Sequence, residues 1–141
     1  MSIAFSCPVL NVYSATEGQA CITHPGEIPT GHVGAPGVAT ELKVVEVPEL
    51  NLSVQDVVRA RRRIRGEVLI RGPSVMSSYV DRNQRGLDEE GWLRTGDIGE
   101  ILENGRLRII DKRSNIFKLQ GGEYISPQPL ENLYTASLCI S

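Results

Sequence analysis

Two short stretches of this chain gather residues that can hold a charged ligand. In YSATEG (13–18), a hydroxyl and a carboxylate follow one another at the end of an apolar run. Thr16 can donate to a phosphate oxygen. Glu17 offers a hard oxygen of the kind Mg²⁺ takes alongside substrate phosphates. In GWLRTGD (91–97), Asp97 follows a glycine at what reads as the start of a strand. From there a carboxylate can accept two hydrogen bonds from a vicinal diol such as ribose. Each stretch has a plainer reading. Thr16 and Glu17 are also a capping or turn pair, and Asp97 is also a turn residue that bonds its own backbone. Residue chemistry alone leaves both readings open.

Other constellations are absent. The chain has no G-x-x-x-x-G-K-[ST] loop, no G-x-G-x-x-G fingerprint and no G-x-S-x-G elbow. His24 and His32 lack the i, i+4 relation of a helical metal pair. Asp97 and Asp111 as a glycosidase pair rest on spacing alone.

The elements that must carry these residues are mostly strands. PVLNVY (8–13) predicts a strand delivering 14–18 as a loop. HPGEIPTGHVGAPG (24–37) reads as loop with short extended pieces, and ELKVVEV (41–47) and GEVLIRG (66–72) as strands. Two β-compatible runs around Asn104-Gly105 predict a hairpin over 98–111, with Asp97 and Asp111 at its open end. Ser126-Pro127 predicts an N-cap and first residue of a helix. Ser53 can cap another helix leading into the arginines 59, 61, 62, 63 and 65, read as a solvated connector. The character of the sequence changes near 111–116, which suggests a boundary between two units.

At 141 residues, with 40% hydrophobic and 23% charged residues and net charge −2, the composition is that of an ordinary soluble domain. It offers no general pull toward nucleic acid or membrane. No apolar run approaches the ~20 residues that cross a bilayer, and the start lacks the basic segment of a signal peptide. Three scattered cysteines, Cys7, Cys21 and Cys139, are expected as reduced, buried thiols.

The order of motifs adds more. VYSATEG, PTGHVGAPG, GEVLIRGPSVMSSYV, DEEGWLRTGDIGE and GRLRIIDKRSNIFKLQGGEYISPQPLEN follow one another in a sequence that resembles the acyl-activating (adenylate-forming, AMP-binding) enzyme superfamily. GHVGAP, NIFKL and GEYISP are similar to its eukaryotic long-chain fatty acyl-CoA synthetases. The resemblance implies a β-rich α+β fragment: residues 1–111 as the end of a large nucleotide-binding domain, 112–116 as a hinge, and 117–141 as the start of a small mobile domain. It implies ATP, Mg²⁺ and coenzyme A as cofactor and substrates and a fatty acid as partner, with no nucleic acid. The location it implies is the cytoplasm or the cytosolic face of a membrane such as the endoplasmic reticulum; the full-length protein could associate with that membrane, although no anchor is visible here.

Roles carry over to matching positions. Tyr13 would pack near adenine, Thr16 would contact the α-phosphate, Glu17 would help hold Mg²⁺, and Asp97 would bind the ribose hydroxyls. Lys112 stands where the family prefers an arginine that reaches the ribose; it keeps the charge and loses the planar fork. Lys118 matches a lysine near the nucleotide. Ser14 and Ser78 replace family glycines, and Gln120-Gly121-Gly122 departs slightly from the usual order. Neither the family's phosphate loop nor its catalytic lysine has a match in the 141 residues, so the fragment is expected to be inactive alone. The alternatives are an adenylating enzyme for another acid and a non-catalytic fragment that binds nucleotide or a partner.

Overall fold

A computed structural model describes residues 6–27, 31–50, 64–80, 86–121 and 123–135. The expected capped helix and most of the arginine-rich connector fall outside them, as does Cys139.

The described chain is strand-rich. Strands β1 (Val12–Ala15), β2 (Gly18–Ile22) and β3 (Ala35–Pro36) form one antiparallel sheet, in that order. A second antiparallel sheet runs β4 (Glu41–Val45), β5 (Ile64–Arg71), β6 (Leu93–Ile101), β7 (Leu107–Lys112). Strands β8 (Phe117–Lys118) and β9 (Tyr124–Ile125) pair separately and lead into helix α1 (Pro127–Thr135).

β5 lies inside its sheet, and five consecutive residues from Gly66 to Ile70 are buried. Val68 and Ile70 join Leu93, Leu107, Ala20 and Cys21 in one apolar cluster, with Tyr13, Val75 and Met76 packed on it. The core therefore ties the β1–β2 hairpin to the four-stranded sheet, and burying those side chains is what holds the two motif regions together.

Three expectations need correction. Residues 14–18 are not a free loop: β1 runs to Ala15, which pairs with Gly18, so Thr16 and Glu17 are the two residues of a tight hairpin turn. Asp97 does not start a strand. β6 begins at Leu93, and Asp97 lies within it, opposite Lys112. Cys7 is exposed, whereas Cys21 is buried as expected, and burial pushes the Cys21 thiol up to about 12.

The Asn104-Gly105 hairpin forms. Leu102 N–H donates to Arg106 O at 2.9 Å and Gly105 N–H to Leu102 O at 2.9 Å. Its loop has three residues, Glu103 to Gly105, and Gly105 takes the left-handed conformation at φ 75° that glycine adopts without strain.

Candidate functional site

The site is built around an irregularity in β6. Glu67 pairs with Ile98 and Leu69 with Arg94, so Thr95, Gly96 and Asp97 together stand opposite Val68 alone. Such a bulge interrupts the ladder and leaves backbone groups to be satisfied by other means. The Thr95 hydroxyl meets two of them: it donates to Val68 O at 2.8 Å and accepts from Asp97 N–H at 3.1 Å. Gly96 O accepts from Arg113 N–H at 2.8 Å. Gly96 has φ 73° and nothing within 4 Å of a hypothetical Cβ, so conformation rather than space calls for glycine. Threonine closes the bulge, glycine turns it, and the aspartate is the residue it aims.

The start of β6 is pinned as well. Asp88 Oδ1 accepts from Trp92 N–H at 2.8 Å and Glu90 N–H at 3.0 Å. The Trp92 ring lies under the Lys43 ammonium (4.2 Å) and the Arg71 guanidinium (4.5 Å).

Asp97 meets Tyr13 across the core. The Tyr13 hydroxyl donates to Asp97 Oδ2 at 2.6 Å, joining residues 84 apart in sequence. Burial, with the Asp97 carboxylate beside it, pushes the Tyr13 phenol far above its ordinary value, so it stays a donor. Lys112 faces Asp97 in the β6–β7 register and is exposed. Glu17, at the hairpin turn, accepts from the Tyr79 hydroxyl. That phenol and Glu17's own amide hold its carboxyl below the usual carboxylate range, with a further contribution from the charge of Lys112. Thr16 is exposed on the same turn.

Tyr13, Asp97, Lys112 and Glu17 are thus brought into one neighbourhood, and Thr16 comes with Glu17. Lys118 is held differently: it lies in the β8–β9 pair with its ammonium 5.4 Å from the Tyr124 ring. Ser14 is exposed and alternates with half-buried Tyr13 and Ala15, so its hydroxymethyl stays clear of the Tyr13 phenol. An open cleft of ≈ 980 Å³ runs behind the bulge along Arg94, Gly96, Lys112 and Ser114.

Several contributors escaped the sequence reading. Tyr79 and Thr95 lie inside the motifs GEVLIRGPSVMSSYV and DEEGWLRTGDIGE, but each acts through another residue, and the motifs alone do not announce that role. Asp111 is only 4% exposed and collects four donors. Its Oδ1 accepts from Lys112 N–H (2.7 Å) and Asn115 Nδ2 (2.9 Å), and its Oδ2 from the Ser126 hydroxyl (2.6 Å) and Gln128 N–H (3.2 Å). The expected cap of α1 is corrected accordingly. Ser126 precedes the helix but donates to Asp111, and Asp111 receives the orphan amide in its place. Arg113, next to Lys112, bonds Glu67 (3.2 Å) and Glu49 (2.8 Å), while Arg94 also bonds Glu67 (2.7 Å).

Among the described residues no group of three or more His, Cys, Asp and Glu could hold a metal ion. Glu17 fits Mg²⁺ only as a single carboxylate working beside nucleotide phosphates, which is how Mg²⁺ is commonly held.

The profile of AMP-binding enzymes matches residues 1–80. The chain belongs to the AMP-binding enzyme family. Among curated members, it is 42% identical to the peroxisomal long chain acyl-CoA synthetase 7 of Arabidopsis thaliana, over all of this chain and 20% of that one. It is also 42% identical to human long-chain-fatty-acid–CoA ligase 1, over 95% of this chain and 19% of that one. The chain spans about a fifth of the length of these curated relatives. Among solved structures, unliganded O-succinylbenzoate coenzyme A synthetase from Bacillus subtilis superposes with a TM-score of 0.77 at 28% identity. That superposition covers 97% of this chain and 29% of that one. The same enzyme in complex with ATP and magnesium ion gives 0.72 at 28% identity, over 96% and 28% of the two chains.

Proposed function

We propose that this chain is the nucleotide-gripping and hinge portion of a long-chain fatty acid–CoA ligase. The whole enzyme would join a fatty carboxylate to the α-phosphorus of ATP, releasing pyrophosphate, and coenzyme A thiolate would then displace AMP from the acyl-adenylate. Carboxylate oxygen leaves poorly and AMP leaves well, which is the reason for the detour. What supports this reading is the Tyr13–Asp97 hydrogen bond, which joins two motifs at one point with Lys112 opposite.

Each residue then has a defined task. Asp97 accepts from the ribose hydroxyls, oriented by Tyr13 on one oxygen. Tyr13 lies along the base, Lys112 adds positive charge at the ribose, and Thr16 donates to the α-phosphate. Glu17 holds the cation that accompanies the phosphates; when bound, Mg²⁺ supplies positive charge against the phosphate oxygens. Residues 1–111 belong to the large domain, 112–116 to the hinge and 117–141 to the small domain, where Lys118 approaches the nucleotide after rotation. The 141 residues contain no match to the phosphate loop or catalytic lysine, so they bind nucleotide without turning it over. The cytosol or the cytosolic face of an intracellular membrane suits this activity, and the peroxisomal Arabidopsis relative makes the peroxisome the alternative. No helix among the described residues is long and apolar enough to cross a membrane.

Calorimetric titration with ATP and Mg²⁺ tests the assignment. Asp97→Asn keeps an oxygen for Tyr13 but loses the charge, and is expected to weaken binding about tenfold or more with only a small fall in melting temperature. Equal affinity of wild type and variant would refute the ribose role. ATP–pyrophosphate exchange with palmitate tests the second part, and turnover by the purified chain would contradict it.

A further inference from the structure

We propose that Tyr79 is the positioning residue of Glu17, fixing one carboxylate oxygen so that the other is presented to the nucleotide-bound cation. This deepens the proposed function and rests on its assignment of Glu17.

Glu17 occupies an unpromising place for a metal ligand. It sits on a two-residue turn, half-buried, on a side chain with three rotatable bonds. A ligand so placed loses rotamer freedom when it binds, and a contact that fixes it beforehand removes that loss from the binding step. The Tyr79 hydroxyl supplies such a contact. It donates to Glu17 Oε1, and no second side chain among the described residues bonds this carboxylate. A phenol is suited to this because it donates one hydrogen bond and brings no charge that would compete with a cation.

The segment bearing Tyr79 is docked on the hairpin by other bonds as well. Met76 N–H donates to Glu17 O at 2.8 Å, and the Ser74 hydroxyl donates to Gln19 O at 3.2 Å. Gly18 lies so close that a Cβ there would come within 3.0 Å of Ser74 O and the Val75 Cα. The 72–76 turn, closed by Val75 N–H to Gly72 O at 3.0 Å, therefore stays seated without the phenol. Tyr79 is left with one task, the orientation of the Glu17 side chain. Because the hydroxyl comes from a residue 62 positions away, it links the turn to a strand-following segment that no local pattern connects with it.

Tyr79→Phe in the 141-residue chain tests this. Three-bond couplings about the Glu17 χ1, measured without nucleotide, should report one rotamer in the wild type and an average in the variant. An averaged Glu17 in the wild type, or unchanged couplings in the variant, would overturn the proposal. Calorimetry then separates positioning from general damage. The variant should weaken ATP binding about threefold to tenfold in Mg²⁺ while leaving the affinity in EDTA unchanged. Equal losses with and without Mg²⁺ would assign Tyr79 a structural role only and overturn the proposal. If wild-type binding does not respond to Mg²⁺, the metal assignment of Glu17 fails, and the couplings alone decide whether Tyr79 fixes its side chain.

Discussion

At Asp97, one carboxylate serves two partners: Tyr13 inside the protein and, on our reading, a ribose outside it. Tyr13→Phe removes the donor at 2.6 Å and should cost about 1.5 kcal/mol of stability, read from denaturant midpoints, because a charged acceptor loses its partner. An unchanged midpoint would show that water replaces the phenol at no cost. Lys112 is an exposed point charge beside this pair. Arginine there would restore a planar fork, so Lys112→Arg is expected to tighten ATP binding severalfold; equal or weaker binding would argue against a ribose contact at this position. The two described cysteines differ in reactivity for physical reasons. At pH 8, with alkylation mapped by peptide mass spectrometry, Cys7 should react readily and Cys21 only after unfolding, since burial holds the Cys21 thiol at about 12.

Two elements determine how well those residues are held. The β6 bulge depends on Gly96 at φ 73°, where a side chain is disfavoured by roughly 1–2 kcal/mol. Gly96→Ala should lower stability by about that much and weaken nucleotide binding as well, since Asp97 is the next residue. Loss of stability with full binding would separate the bulge from the site. The second element is the junction of β7 with α1, closed by Asp111. Burial alone would raise its carboxyl, but the bonds from Ser126, Gln128, Asn115 and Lys112 outweigh it and hold it below its ordinary 3.8. A group depressed in this way stabilises the fold above its unfolded value, and that stability is lost as pH falls through the folded value. Asp111→Asn should therefore reduce the melting temperature at neutral pH and flatten its fall as the pH drops below the ordinary 3.8. A variant that keeps the wild-type acid profile would remove Asp111 from that role. If residues 112–116 are the hinge, Asp111 is also a bond across it that rotation of the small domain must break or carry along.

For the whole molecule, the decisive fact is that the chain spans about a fifth of its curated relatives. Val12 (51% exposed) and Ile22 (37%) are opposite one another on β1 and β2, and Leu133 on α1 is 67% exposed. Apolar pairs left open on short sheets are expected to find partners. Light scattering should show the apparent mass rising with concentration, and Val12→Lys with Ile22→Lys should reduce that rise without lowering the melting temperature. A monodisperse monomer at all concentrations would contradict the expectation.

Much of this molecule was readable from local pattern. Alternating β-branched runs, the Asn104-Gly105 turn and Pro127 are short-range signals, because each reflects what a few neighbouring residues can do with their own backbone. The order of motifs is a different kind of signal: it resembles that of a known family, and that resemblance pointed to Asp97, Glu17 and Tyr13 together. The Tyr13–Asp97 bond, the three-residue bulge opposite Val68, the Tyr79 contact on Glu17 and the four donors on Asp111 were not readable. Each joins residues from different strands or turns, and which of them meet depends on strand register and on how the two sheets pack over Val68, Ile70 and Cys21. Asp97 illustrates the division: its type and its glycine were visible in LRTGD, while its position inside a strand, aimed by a bulge and met by a tyrosine, came from packing.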